Sequence, residues 1–279
     1  MSGDVNHEKI AQDYLAHLEL LNRPANLELV QAMHSRHLAQ YSFNNLPVVL
    51  AQNMPLDVPT LFKKIVVKGR GGYCFEHNKL MMNVLQGLGY DVRLLLARVV
   101  YNTDADKPLT HRMTLLTLGE EQYIVDVGFG RFGARFAVKL ELGLEQDLGD
   151  ACYRIVKNTQ GNYCYQIYKD GDFFTLYTFD LQAYTEADCL LGHFYSHQHP
   201  DAAFVNNLVI SIKPLNCIYS LRNDEYSHIQ PHETKTIKIN NGQQLHNILH
   251  QVFQLDVDAV VAEFLYAKFV KDKARYGYE

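Results

Sequence analysis

Apolar residues recur at two spacings along this chain, and the change from one to the other divides it. In EKIAQDYLAHLELL, Ile10, Tyr14, Leu18 and Leu21 fall near a 3.6-residue period, which predicts a first helix. Asn26 is placed to cap a second, LELVQAMHSRHL. Asp57, with Pro59 close behind, opens a third through LFKKIVV. A fourth runs from Cys74 to about Leu88, with Gly89 as a natural terminator. Beyond it the apolar runs shorten. DVRLLLARVVY, MTLLTL, QYIVDV, CYRIV, YCYQIYK and DFFTLYTF are rich in β-branched and aromatic residues, as strands are. The turns GEEQ, NTQGN and KDGD separate several of them, and Asp170-Gly171 is a strong hairpin signal. Such spacing predicts an antiparallel barrel or sandwich. The last third is mixed. TEADCLLGHFYSH reads as a helix, FVNNLVISI and TKTIKI as strands, QQLHNILHQVF and DAVVAEFLYAKFV as amphipathic helices. The class is α+β, with no internal repeat and no low-complexity linker.

Length and composition narrow the function classes. A chain of 279 residues can bury a large apolar interior in one to three domains. Its formal net charge of -5 leaves no basic footprint for nucleic acid. The polar N-terminal stretch MSGDVNHEKIAQDY lacks the apolar core of a signal peptide. VRLLLARVVY is too short to span a bilayer and is broken by arginines. The expectation is a soluble cytoplasmic protein with no nucleic-acid or membrane partner. Five cysteines, odd in number and unpatterned in spacing, read as reduced thiols. Cys152, Cys164 and Cys217 fall in strand-like segments, where packing is the ordinary role, and Cys189 in a helix.

Cys74 differs, because glycines and charges surround it in GRGGYCFEHN. Gly71 and Gly72 permit a tight turn just before a helix, so Cys74 stands at a helix N-terminus, where free N–H groups and the dipole favour a thiolate. A nucleophile of this kind needs a base. His111 opens one strand-like run and Asp126 closes the next, 15 residues later. Antiparallel pairing through GEEQ brings these two ends to one sheet edge. A carboxylate there can orient the imidazole toward Cys74, the Cys-His-Asp arrangement. A packed cysteine beside unrelated polar residues is the competing reading. Zinc is another: Cys74 and His77 form C-x-x-H, and His193, His197 and His199 form H-x3-H-x-H. No second close cysteine pair exists, so solvated histidines are preferred and no metal is assigned.

These segments resemble the arylamine N-acetyltransferases. RGGYCFEHN is similar to their nucleophile motif, THRMTLL to the histidine segment and DVGFG to the aspartate segment. SFNNLP and HPDAAFV resemble two further family stretches, so the likeness spans nearly the whole chain. The resemblance implies an N-terminal helical bundle (1–89), a central β-barrel-like domain (90–183) and a C-terminal α/β lid (184–279) around a cysteine-protease-like core. It implies ping-pong transfer from acetyl-CoA, through Cys74, to an arylamine, arylhydrazine or N-hydroxyarylamine. It assigns Phe43, Phe129 and Phe204 to the acceptor pocket. Thr110 and Gly130 are the candidates for contact with CoA, and Arg131 for contact with either substrate or solvent. An amide synthase on the same fold and a Cys-His-Asp hydrolase or transglutaminase-like enzyme share the triad chemistry. Two departures stand out. Asn44 replaces the usual Glu, an expected partner for Arg70, and Ala203 replaces a common Ser. The segment NTDADKPL reads as a mobile loop at the cleft mouth.

Overall fold

The computed structural model describes residues 7–103 and 106–271. Part of the N-terminal polar stretch, and two residues of NTDADKPL, lie outside that range. The predicted caps form. Asn26 accepts the Leu29 N–H at the start of α2 (Leu27–Gln40), and Asp57 accepts the Thr60 N–H at the start of α4 (Val58–Phe62). Helix α1 (His7–His17) is shorter than its periodicity suggested, because Glu19 turns left-handed (φ 55°) and swings Leu18 and Leu20 inward, leaving Leu21 exposed. Helix α4 runs on as a wider π-helical turn, Lys63–Val67. A single turn, α3 (Leu46–Val49), precedes it, and α5 (Cys74–Gly87) ends before Gly89 at φ 82°.

Eight strands then form one antiparallel sheet: β2 (Asp91–Val99), β3 (His111–Leu118), β4 (Glu121–Val125), β5 (Val138–Lys139), β6 (Gln146–Asp147), β7 (Cys152–Lys157), β8 (Tyr163–Lys169) and β9 (Asp172–Phe179). Their spatial order is β5-β4-β3-β2-β9-β8-β7-β6. The side chain of Gln146 joins the two ends: its amide accepts from Lys139 N (2.9 Å) and donates to Lys139 O (3.1 Å), as a neighbouring strand would. The sheet is thereby nearly closed, as a barrel. Asp170 and Gly171, at φ 53° and 91°, make the predicted hairpin turn. Both faces of β3 are covered. Leu115 points into the barrel and Leu116 into the layer shared with α1, α2 and α5, which is why its apolar run is unbroken.

The remaining elements are α6 (Glu186–Gln198), α7 (Ala203–Asn206), β10 (Val209–Ile212), β11 (Ile218–Arg222), β12 (Glu225–Gln230), β13 (Glu233–Lys238), α8 (Gly242–Gln251) and α9 (Ala259–Tyr266). The strand expected over FVNNLVISI begins only at Val209. Asn45 is the reason: its amide donates to the carbonyls of Phe204 (2.7 Å) and Asn207 (2.6 Å) and accepts from Val209 N (2.8 Å), which holds Phe204 in a helical turn. A strand from the first lobe, β1 (Phe43–Asn44), edges the second sheet, in the order β1-β10-β11-β12-β13. Two ion pairs tie the barrel sheet to the C-terminal part, the first between buried Arg112 and half-exposed Glu186, the second buried on both sides. Arg112 of β3 grips Glu186 of α6 through two bonds of 2.9 and 2.8 Å. The Lys213 ammonium, beyond β10, meets Asp150. No helix among the described residues is long and apolar enough to cross a membrane.

A buried hydrogen-bonded chain holds α5 against α2. His77 Nε2 must donate to the Ser42 carbonyl (3.1 Å). In neutral His77, Nδ1 then accepts from His37 Nε2 (2.7 Å), and His37 Nδ1 accepts from the Tyr14 hydroxyl (2.7 Å). Burial pushes His77, and likewise His34, down to about 4. An unfolded histidine titrates near 6.5, so between these values the unfolded chain binds more protons and stability falls as pH falls. Each of the two should cost roughly 1 kcal/mol per pH unit in that window. Urea unfolding midpoints should therefore drop from pH 7 to pH 5. Equal midpoints would contradict the neutral, buried assignment.

Candidate active site

The glycine turn in GRGGYCFEHN is a packing requirement. Gly71 adopts φ 60°, and a Cβ on it would lie 2.0 Å from the Ser42 carbonyl oxygen. The turn runs beside β1: Asn44 N donates to Gly72 O (2.6 Å) and Gly72 N to Ser42 O (3.2 Å). Helix α5 starts immediately after it. The Glu76 carboxylate accepts the Tyr73 N–H (3.2 Å) and pairs with Lys64 at 2.5 Å. Cys74 thus occupies the first helical position, as the sequence predicts.

Helix and strand repeats bring the site together. Cys74 Sγ donates to Thr110 O (3.6 Å), and one turn later Asn78 Nδ2 donates to Arg112 O (2.5 Å). Four helical residues rise about 6 Å and two strand residues about 7 Å, so α5 can lie along the start of β3 with matched contacts. Asp126 follows β4 directly. Its Oδ2 meets His111 Nε2 at 2.7 Å, while Oδ1 accepts from Asn78 Nδ2 (2.8 Å) and Gly128 N (3.0 Å). Asn78 Oδ1 accepts the Val127 N–H (2.9 Å), and His34 Nε2 accepts the Asp126 N–H (3.4 Å). The carboxylate fixes the proton on His111 Nε2 and leaves Nδ1 as the basic nitrogen. Gly128 lets the loop approach: a Cβ there would sit 2.8 Å from Cys74 Cα and 2.7 Å from Asn78 Nδ2.

Protonation follows from burial. Desolvation alone would raise the Asp126 carboxyl, but His111, Asn78 and the Gly128 N–H hold it below the ordinary carboxylate range. Cys74 is driven the other way. Burial, then the Asp126 charge, push its thiol up, and the N–H groups of Arg112 and Phe75 offset only part of this. Burial thus works against the helix N-terminus expected to favour a thiolate. Cys74 Sγ lies against Thr110 O, and a proton moved to His111 offsets the cost of its anion.

Cys74 and His111 open into a cavity of about 450 Å³. Phe43, Phe129, Phe204, Thr110 and Gly130 line it too, and Asp126 stands behind His111. The ring of Phe129 lies edge-on to the imidazole at 5.0 Å, and Phe43 and Phe204 meet at 5.9 Å. The histidines that suggested zinc are engaged elsewhere. His77 belongs to the buried chain, and His193 Nε2 donates to Met54 O at 3.0 Å. Among the described residues no three His, Cys, Asp or Glu side chains gather as a metal site.

The sequence profile of a family described as N-acetyltransferase matches residues 26–262. An arylamine N-acetyltransferase of Escherichia coli is 32% identical over 84% of each chain. An arylamine N-acetyltransferase / N-hydroxyarylamine O-acetyltransferase of Salmonella typhimurium is 30% identical over 91% of this chain and 92% of that one. The chain belongs to the arylamine N-acetyltransferase family. The fold agrees. A Mycobacterium marinum arylamine N-acetyltransferase solved in complex with CoA superposes with a TM-score of 0.85 at 26% identity, over 92% of this chain and 98% of that one.

As an arylamine N-acetyltransferase family member, the chain keeps its fold where its sequence departs from the family. Asn44 does not pair with the Arg70 guanidinium. It donates to the Arg70 backbone carbonyl (3.0 Å), and the Arg70 side chain is exposed. Ala203 lines the cavity with a methyl where Ser would present a hydroxyl. Arg131 lines it as well, stacked over Phe132 at 4.4 Å. Three participants were not foreseen. Asn78 and His34 secure Asp126, and Tyr101 joins the aromatic wall 5.9 Å from Phe129. Asn78 had a signal, since it lies one turn after Cys74 on the same helix face. His34 and Tyr101 had none.

Proposed function

We propose that Cys74, His111 and Asp126 form the catalytic triad of an acetyl-CoA-dependent arylamine N-acetyltransferase working by a ping-pong reaction. The observation that carries this reading is the His111–Asp126 pair at 2.7 Å, buried beside Cys74 at the end of one cavity. His111 Nδ1 takes the thiol proton as sulfur attacks the thioester carbonyl of acetyl-CoA. CoA leaves with that proton, and the acetyl group stays on Cys74. An amine then attacks the acetyl carbon and gives its proton to His111, and the C–S bond breaks to return Cys74 and the amide. The Cys74 N–H, a first-turn amide with no helical acceptor, is the first oxyanion donor.

Phe43, Phe129 and Phe204 supply flat apolar walls for an arylamine, arylhydrazine or N-hydroxyarylamine. Thr110 and Gly130 line the same cavity, which supports their contact with CoA. All five cysteines are unpaired, which supports a reducing, cytoplasmic setting.

The second half-reaction tests the acceptor class. Protein acetylated on Cys74 and freed of acetyl-CoA should lose its acetyl group to aniline far faster than to water or an aliphatic amine. Equal rates would sink the arylamine assignment. Asn78→Ala should lower kcat about 10- to 100-fold, because Asp126 loses a charge-assisted hydrogen bond and Val127 N loses its acceptor. An unchanged steady-state kcat would show that Asn78 does not position the triad.

A further inference from the structure

Ser211 is 3% exposed, yet its hydroxyl has no partner among the described residues. It lines the cavity that holds Cys74 and His111. A buried hydroxyl left like this has given up water and gained nothing in return, which is uncommon outside sites that receive a ligand. Its surroundings do not supply the missing bond. A Cβ on Gly130 would lie 3.3 Å from Ser211 Oγ and 3.2 Å from the Phe43 ring, so the hydroxyl is framed by a ring and a bare backbone.

Register sets how far its strand lies from the turn that precedes Cys74. Gly72 bridges Phe43, Phe43 pairs with Ser211, and Ser211 pairs with Ser220. Two strand spacings, roughly 10 Å, therefore separate the Gly72 backbone from Ser211. Cys74 is two residues beyond Gly72. Ser211 and Cys74 thus line one cavity with the Phe43 strand between them, and the spacing is on the scale of an aromatic amine that carries a substituent opposite the nitrogen. Ser220 lines the same wall beside it.

We propose that Ser211 is a specificity-determining residue: its hydroxyl hydrogen-bonds a polar substituent at the end of the acceptor ring opposite the reacting amine. The proposal rests on the acetyl-transfer reading above. It names the preferred substrate class as arylamines carrying a carbonyl, amide or hydroxyl group remote from the amine. The competing occupant is an amide of the acyl donor's pantetheine arm. The two half-reactions, measured separately, distinguish them.

The experiment uses 4-aminobenzamide and 4-methylaniline as acceptors for pre-acetylated wild type and Ser211→Ala. Intrinsic amine reactivity cancels when each acceptor is compared between the two proteins. The variant should deacetylate about tenfold more slowly with 4-aminobenzamide, the size of one lost hydrogen bond, and no more slowly with 4-methylaniline. Equal slowing with both acceptors, or slowing with neither, would overturn the proposal. So would a slower first half-reaction with acetyl-CoA, which would give the hydroxyl to the donor. Should Ser211→Ala melt early, Ser211→Cys keeps the volume while weakening the hydrogen bond, and carries the same comparison. Wild type that takes up no acetyl group would overturn the reaction itself, a failure seen before any variant is made.

Discussion

His111→Ala should lower kcat/KM for acetyl transfer by roughly 10³- to 10⁴-fold and slow alkylation of Cys74 at neutral pH about 100-fold or more. The argument starts from burial. Cys74 is 2% exposed, and both desolvation and the Asp126 charge oppose its ionisation. In the wild type the proton has a place to go: His111, whose cationic form Asp126 stabilises from 2.7 Å. Thiolate and imidazolium then form as a pair, so the proton transfer adds no net charge to the buried site. Alkylation of the wild type should stay fast well below pH 8.5, the range of a free thiol. Without His111, the thiol keeps both penalties, and the Asp126 anion beside it keeps only the Asn78 and Gly128 donors. A pH profile of iodoacetamide labelling reads this directly. Wild-type and variant profiles that both track an ordinary thiol would defeat the account of activation.

Gly128→Ala should cost at least 100-fold in transfer rate and about 1–3 kcal/mol in stability. The cause is not backbone strain, since Gly128 does not use the left-handed region that favours glycine. The cause is contact. The new Cβ would lie 2.8 Å from a backbone atom, Cys74 Cα, and 2.7 Å from Asn78 Nδ2. Neither can yield cheaply. Cys74 Cα moves only if α5 moves, and Asn78 Nδ2 is held by Asp126 Oδ1 and Arg112 O. The methyl group must therefore push the Asp126–Phe129 segment away from the nucleophile helix. Steady-state kinetics with a urea midpoint checks both numbers, and a fully active Gly128→Ala protein would show that the close approach is dispensable.

The parts of the site legible in the sequence are those set by local chemistry. A glycine turn before a helix placed Cys74. Two strand runs joined at GEEQ placed His111 and Asp126 at one edge. The family motifs then identified Phe43, Phe129 and Phe204, all of which line the cavity. What stayed hidden depends on contacts distant in sequence. The segment at Phe204 has strand-like composition, but Asn45, some 160 residues earlier, captures its carbonyls and bends it into a turn. His34 reaches Asp126 across 92 residues. The barrel is nearly closed by the side-chain amide of Gln146 together with a Leu142–Ile155 bridge. The cost of ionising Cys74 is hidden for the same reason. A helix N-terminus is visible in a sequence, whereas the burial that opposes it exists only after α5, β3 and the Asp126 loop have packed.

The central claim is that Cys74 carries the acetyl group between donor and acceptor. Intact mass after mixing with acetyl-CoA, with no amine present, tests it most directly. One acetyl addition is expected on the wild type and none on Cys74→Ser. A wild-type mass that does not change, or an addition that survives in Cys74→Ser, would contradict it.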